Sequence, residues 1–235
     1  MPEQLVFELG RAEPPGFGNF VAGANAEIVA ALRQFVTVPT DPGLVLWGGP
    51  ATGKTHLLRA SVAEARARGR SAMYCETPAA LPPEPPLPAT LVAIDAIDTA
   101  DPGQQAWLFT LYNALPGHGG QLICAAPLPP ARLPLREDLR TRIGHGLIFE
   151  VKPLADADLP QALRVYAEER GFPLGPDVID YLLRHRRRDF RSLTAMLAAL
   201  DRHSLATRRP ITVPLLRDWL AGPATSLPSS EVDAH

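Results

Sequence analysis

Apolar positions along this chain fall into two kinds of stretch. Short, nearly unbroken apolar runs occur at residues 43–47, 71–75, 91–95, 121–126 and 147–151. Runs of that length without polar alternation predict strands buried on both faces, as in a parallel sheet. Between them, apolar residues recur at helical spacing. Ile28, Val29, Leu32 and Phe35 mark one helix over 25–35; a second runs over 56–68 and is stopped by Gly69. Trp107, Leu108, Leu111, Tyr112 and Leu115 form the buried stripe predicted for a third over 104–115, and a short helical segment follows over 135–143. Strands alternating with helices predict an α/β core around a parallel sheet. From Pro153 the pattern becomes helical throughout, with helices predicted over 156–170, 177–186, 190–205 and 214–220. Leu159, Leu163, Val178, Leu182, Leu193, Leu197 and Leu200 supply their apolar faces, which predicts a small all-helical second domain.

The rest of the chain lacks either period. Residues 77–90 contain Pro82-Pro83 and Pro85-Pro86-Leu87-Pro88, which no helix interior or central strand accepts, so this stretch is expected to cross the surface as a stiff loop. Residues 222–235 are polar and aperiodic and are expected to be a disordered tail. At the other end, Gln4, Leu5, Val6, Phe7, Glu8 and Leu9 place a polar residue before alternating apolar ones, ahead of a Gly/Pro-rich tether. Such a segment fits either a sheet edge strand or an extended peptide that docks in an apolar groove. The expected organisation is a peptide at 1–9, a linker at 10–16, an α/β core at 17–152, a helical domain at 153–220 and a tail at 221–235.

Composition narrows the function classes. The chain has 235 residues, 46% hydrophobic and 20% charged, with a formal net charge of -2. That balance describes an ordinary soluble protein and offers no bulk polycation for holding nucleic acid. The cysteines, Cys75 and Cys124, both fall in predicted strands without a paired spacing, so neither a disulfide framework nor a zinc site is expected. No apolar run has the length of a membrane helix, and the start of the chain is acidic where a signal peptide needs basic residues. A cytoplasmic protein without membrane association is the expectation.

The chemistry is concentrated after the first apolar run. Gly48-Gly49-Pro50-Ala51-Thr52-Gly53-Lys54-Thr55 fits the phosphate loop G-x-x-x-x-G-K-[ST] at every defined position, between a predicted strand and a predicted helix. Backbone N–H groups of such a loop curl around phosphate oxygens, and the helix N-terminus behind it carries partial positive charge. Lys54 is then expected to reach the β- and γ-phosphates, and the Thr55 hydroxyl to bind Mg²⁺. Asp95, ending the run Leu91-Val92-Ala93-Ile94, is the second expected holder of Mg²⁺ from the C-terminal edge of the sheet. Groups that activate water are less evident: Ala96 stands where many ATPases carry a second carboxylate, and Ala125-Ala126-Pro127 where a polar residue would sense the γ-phosphate. Asp98, three residues beyond Asp95, is expected to point elsewhere.

Together, the phosphate loop, a strand-ending Asp95, a basic segment (Arg140-Thr141-Arg142) before the last strand and an all-helical lid resemble the AAA+ ATPases. Phe17-Gly18-Asn19-Phe20-Val21-Ala22-Gly23 is similar to the "F-x-N-F-V-x-G" segment of the replication initiator DnaA. Gly48-Gly49 with Gly53-Lys54-Thr55-His56-Leu57 resembles its Walker A motif, and Pro153-Leu154 and Arg191-Ser192-Leu193 also match. A DNA-binding initiator needs a helix-turn-helix domain beyond Leu220 and a helicase-interaction domain before Phe17. Neither pattern is read here, so the resemblance narrows to the DnaA-related Hda family. It implies ADP or ATP with Mg²⁺ in the phosphate loop, His56 included. Gln4 to Leu9 would be a peptide for the DNA polymerase sliding clamp (its beta subunit), and Arg142 an arginine finger delivered in trans to ATP held by DnaA. Arg191 would be a lid arginine that reaches the nucleotide phosphates. Contact with DNA would be indirect, through the clamp, with weak backbone contact by Arg184 to Arg188 a further expectation. Intrinsic hydrolysis is expected to be weak or absent. The alternative is a self-assembling AAA+ ATPase such as a helicase loader, and formation of a homo-oligomer stays open in either case.

Overall fold

Parallel pairing joins β1 (Gly43–Trp47), β2 (Ala72–Cys75), β3 (Leu91–Ile94), β4 (Gln121–Ala126) and β5 (Leu147–Glu150) into one 5-stranded sheet, ordered β2-β3-β4-β1-β5. The computed structural model describes residues 14–84, 90–186 and 189–221. The chain divides into two units: one spans 14–155 and contains the sheet, and the other begins at Asp156.

Side chains alternate across a pleated sheet, so each strand feeds two layers. Leu44, Leu46, Leu91, Ala93, Ile123 and Ala125 share one face. They pack there with Ile28, Leu32 and Phe35 of α1 (Ala26–Thr37) and Leu57 and Leu58 of α2 (Lys54–Ala67). The intervening Val45, Val92, Ile94, Leu122 and Cys124 face α3 (Pro102–Ala114) and α4 (Glu137–Gly144) through Leu108, Leu111, Leu139 and Ile143. Burial on both faces explains the unbroken apolar runs, and each such Leu or Ile contributes roughly 1.5–3 kcal/mol. β5 differs because it lies at the sheet edge; its residues alternate between half-buried and exposed, and Ile148 is 42% exposed. The ends of β1, β3 and β4 lead into Gly48, Asp95 and Pro127, on the edge where parallel sheets place ligands.

The second unit contains α5 (Leu159–Glu169), α6 (Pro176–His185), α7 (Phe190–Thr207) and α8 (Val213–Ala221). Its core is Leu159, Leu163, Val178, Leu182, Leu193, Leu197, Leu200, Leu215 and Leu216. Asp189 caps α7 by accepting from the Ser192 N–H at 2.8 Å. α5 starts later than residue 156 because 156–158 first make a turn, with Pro160 then in the helix's opening turn. α4 starts at Glu137, leaving Leu135 buried outside the helix. Trp107 is half-buried and not part of the buried stripe of α3; its indole N–H donates to the Pro83 carbonyl at 3.3 Å. Among the described residues, no helix is long and apolar enough to cross a membrane.

Candidate functional site

The phosphate loop owes its path to two glycines. Gly48 continues β1 by donating to the Ala126 carbonyl at 3.2 Å, and a Cβ there would lie 2.5 Å from the Val151 carbonyl oxygen. Gly53 has φ +97°, the left-handed backbone that starts α2, and a Cβ there would lie 2.7 Å from the Phe20 ring. Between them, Ala51 also takes a left-handed conformation, and the buried Thr52 donates its hydroxyl to the Gly49 carbonyl at 3.1 Å. Lys54 crosses back over the loop. Its Nζ donates to the Gly48 and Gly49 carbonyls at 2.7 and 2.6 Å and stands 3.4 Å from Thr52 Oγ1. Burial holds the Lys54 ammonium below its usual pKa, opposed by the charges of Asp95 and Asp98.

Asp95 and Thr55 are brought together. The Thr55 hydroxyl donates to Asp95 Oδ2, and Asp95 Oδ1 accepts from the Ala96 N–H at 3.0 Å. Tyr74, on the neighbouring strand, sets its hydroxyl 3.5 Å from Asp95 Oδ2. Gly48, Pro50, Lys54, Asp95, Ala96, Asp98, Ala126 and Pro127 line one cavity of about 270 Å³. Asp98 therefore does not point elsewhere, as the sequence reading expected. Ala96 takes a left-handed backbone, φ 48°, and a short 3₁₀ turn over Ile97–Thr99 follows, which carries Asp98 back to the cavity wall. Asp98 Oδ1 is buried there without a hydrogen-bond partner among the described residues, at a cost of about 1–3 kcal/mol or more for a charged group. The apolar Ala96, Ala126 and Pro127 complete the wall.

A lead-in segment lies against the loop helix. His56 Nε2 sits 2.9 Å from the Gly16 carbonyl, which makes that nitrogen the donor and fixes the ring tautomer. The Phe20 and His56 rings are 5.3 Å apart, and burial holds the His56 pKa below its ordinary range despite the bond to Gly16. Further along, Asn25 is buried and exchanges two hydrogen bonds with the backbone of Lys152, accepting at 2.8 Å and donating at 2.9 Å. Neither Phe20 at Gly53 nor Asn25 at Lys152 follows from periodicity; the only signal in sequence was the run from Phe17 to Gly23.

Arg142 lies elsewhere in the same unit, in the last turn of α4. It is exposed, makes no ion pair among the described residues, and lines a cavity of about 730 Å³ with Phe109, Arg136, Glu137, Asp138, Thr141 and His145. Arg136 is paired with Asp138 at 2.7 Å, which leaves Arg142 as an unpaired guanidinium in that group. Arg140 lines a separate depression with Pro130 and Ile148. Arg191 belongs to the second unit, exposed in the first turn of α7, where the helix dipole disfavours a cation. Gln4 to Leu9, Arg187 and Arg188 lie outside the described residues.

Comparison with known proteins fits this arrangement. Residues 156–220 match the family model described as "Hda, lid domain". Domain III of the replication initiation protein DnaA from Thermotoga maritima superposes with a TM-score of 0.73 at 19% identity, covering 88% of this chain and 97% of that one. AMPPCP-bound DnaA from Aquifex aeolicus gives 0.65 at 21% identity, covering 80% of this chain; the chain thus spans 65% of that relative's length. A RuvB structure from Thermotoga maritima gives 0.68 at 14% identity, covering 89% and 72%. These structural likenesses establish the AAA+ fold, a parallel α/β sheet with a helical lid, and the family match falls on the lid. The chain has an AAA+ fold, and its residues 156–220 are similar to the lid of the Hda family.

Proposed function

We propose that this protein is a nucleotide-bound adaptor that regulates the initiator DnaA: it docks on the sliding clamp through Gln4 to Leu9 and presents Arg142 to ATP held by DnaA. The observation that carries the reading is the contrast between two sites in one unit. The phosphate loop is complete, yet the position after Asp95 and the end of β4 bring Ala96, Ala126 and Pro127 to its cavity, none of which can take a proton from water. Arg142 meanwhile stands exposed and unpaired. A guanidinium stays charged and offers a planar fork of donors to phosphate oxygens, so its natural target is a phosphate outside this unit.

In this reading the nucleotide, ADP or ATP, is held by the backbone of Gly48 to Gly53 and by Lys54, which would exchange its two carbonyl partners for phosphate oxygens. DnaA structures bound to AMPPCP support an adenine nucleotide here. Magnesium fits the donors present. Thr55 Oγ1 and Asp95 Oδ2 already share a hydrogen bond, Asp98 lines the same cavity as Asp95, and no His/Cys/Asp/Glu cluster among the described residues competes as a metal site. When bound, the ion would neutralise phosphate charge. His56 acts one step back, donating to Gly16 and holding Phe20 against the loop. Arg191 is proposed as the lid's contact to the phosphates.

Reconstitution tests the reading: DnaA carrying labelled ATP, clamp loaded on DNA, and this protein as wild type, Arg142→Ala or a form lacking residues 1–9. Wild type is expected to accelerate hydrolysis and both variants to lose that effect. Equal stimulation by all three would refute it, as would rapid hydrolysis by this protein alone.

A further inference from the structure

We propose that Asp98 is a second carboxylate of the nucleotide site, placed by the turn at Ala96 to accept hydrogen bonds from the water shell of a Mg²⁺–nucleotide complex. The inference rests on the reading that this cavity holds a nucleotide. Three observations converge on it. First, the position after Asp95 is Ala96, so the strand itself delivers only one carboxylate. Second, the chain does not continue away from the sheet. The left-handed Ala96 reverses it, Ile97 is fully buried as an anchor, and the Thr99 N–H and hydroxyl both bond back to the Ala96 carbonyl, at 2.9 and 2.8 Å. That closed turn carries Asp98 to the wall it shares with Asp95 and Lys54.

Third, the carboxylate arrives there unsatisfied. A carboxylate with a purely structural role would accept from the N–H groups of its own turn, as Asp101 does from Gln104 and Asp189 from Ser192. Asp98 Oδ1 is instead buried without a partner among the described residues. Lys54, the cation nearest in the cavity wall, is not its partner either, since that ammonium bonds to the Gly48 and Gly49 carbonyls. A carboxylate that lines the cavity with Asp95 and Lys54 suits the water-clad Mg²⁺ of a nucleotide, which keeps several waters and takes only one or two protein oxygens directly. Asp98 is thus a positioning residue that acts through water, with Thr55 and Asp95 as the direct oxygens. Outer partners of this kind are typically worth about 10–100-fold in metal affinity.

Calorimetry of ADP binding to the full chain, in Mg²⁺ and in EDTA, isolates this role. Manganese binding to the ADP complex, followed by electron paramagnetic resonance, reads the metal directly. Asp98→Asn, nearly isosteric, is expected to bind ADP in EDTA as wild type does, to lose most of the affinity gained with Mg²⁺, and to bind Mn²⁺ about tenfold more weakly. Asp98→Ser is the second variant, with the same expectation, and thermal unfolding checks that both are folded. If folded Asp98 variants keep the wild-type Mg²⁺ gain and Mn²⁺ affinity, Asp98 has no such role although the nucleotide site stands. If wild type binds ADP under neither condition, the nucleotide reading and this one fall together.

Discussion

Phe20 occupies the space that a side chain on Gly53 would need, with its Cε2 2.7 Å from where a Cβ would stand. The phosphate loop and the lead-in segment are therefore fitted to each other at a position where the backbone is also left-handed, φ +97°. Gly53→Ala meets both obstacles at once. The backbone strain alone costs about 1–3 kcal/mol, and displacing Phe20 disturbs its contact with His56. The expected result is a lower urea midpoint together with weaker ADP binding. An unchanged midpoint would show that Phe20 yields without cost.

Lys54→Ala separates binding from folding. Lys54→Ala removes two charged hydrogen bonds to loop carbonyls but also the desolvation that lowers the Lys54 pKa, so the two effects partly offset and the melting temperature should fall only modestly. On the proposed function it also removes the cation that meets the phosphates. Since hydrogen bonds to charged groups contribute about 1.5–3 kcal/mol each, ADP affinity should fall by roughly 10–100-fold or more. Calorimetry and thermal unfolding on the same samples check both halves.

The layered core was legible in the sequence because double-sided burial leaves an unambiguous signal. β1 and β4 carry nothing but apolar or buried residues and begin and end where their runs do. β5 has a similar composition, yet its place at the sheet edge depends on which strand it pairs with, and no local pattern encodes that. The same limit applied within the site. Lys54 and Thr55 could be named because a phosphate loop needs those residue types at that spacing, and Asp95 because it ends an apolar run downstream of that loop. Asp98 could not, because its direction is set by a left-handed Ala96, a conformation that alanine gives no reason to expect. The pairing of Asn25 with Lys152 joins residues far apart in the chain and was equally invisible.

Cys124 provides a pH test of the core. The thiol is completely buried between strand and helix layers, and burial pushes its pKa far above the ordinary value of 9.0. A raised folded pKa means that stability is fully present below pH 9 and is lost as pH rises beyond it, because only the unfolded chain releases the proton there. Above pH 9 the loss attributable to this one group should approach about 1.4 kcal/mol per pH unit. Cys124→Ala lacks the group, so its urea midpoint should decline less between pH 8 and pH 10 than that of wild type. Parallel decline in both proteins would assign the alkaline loss to other groups.

Arg142→Lys is a sharper test of the proposed finger than deletion alone. Arg142 is exposed and makes no ion pair among the described residues, so neither Arg142→Lys nor Arg142→Ala should move stability beyond about 0.5 kcal/mol. ADP binding by this protein should likewise be untouched, because Arg142 does not line the phosphate-loop cavity. What the two variants should change is stimulation of DnaA-bound ATP hydrolysis. An arginine finger supplies about 10³-fold or more by spreading charge over a planar fork of donors, and lysine offers a point charge in its place. Lysine is therefore expected to behave nearly as alanine does, with both falling close to the rate of DnaA alone. If lysine instead restores most of the stimulation, Arg142 acts only as a positive charge at the contact surface, and the group that reaches the phosphate must be sought elsewhere on α4.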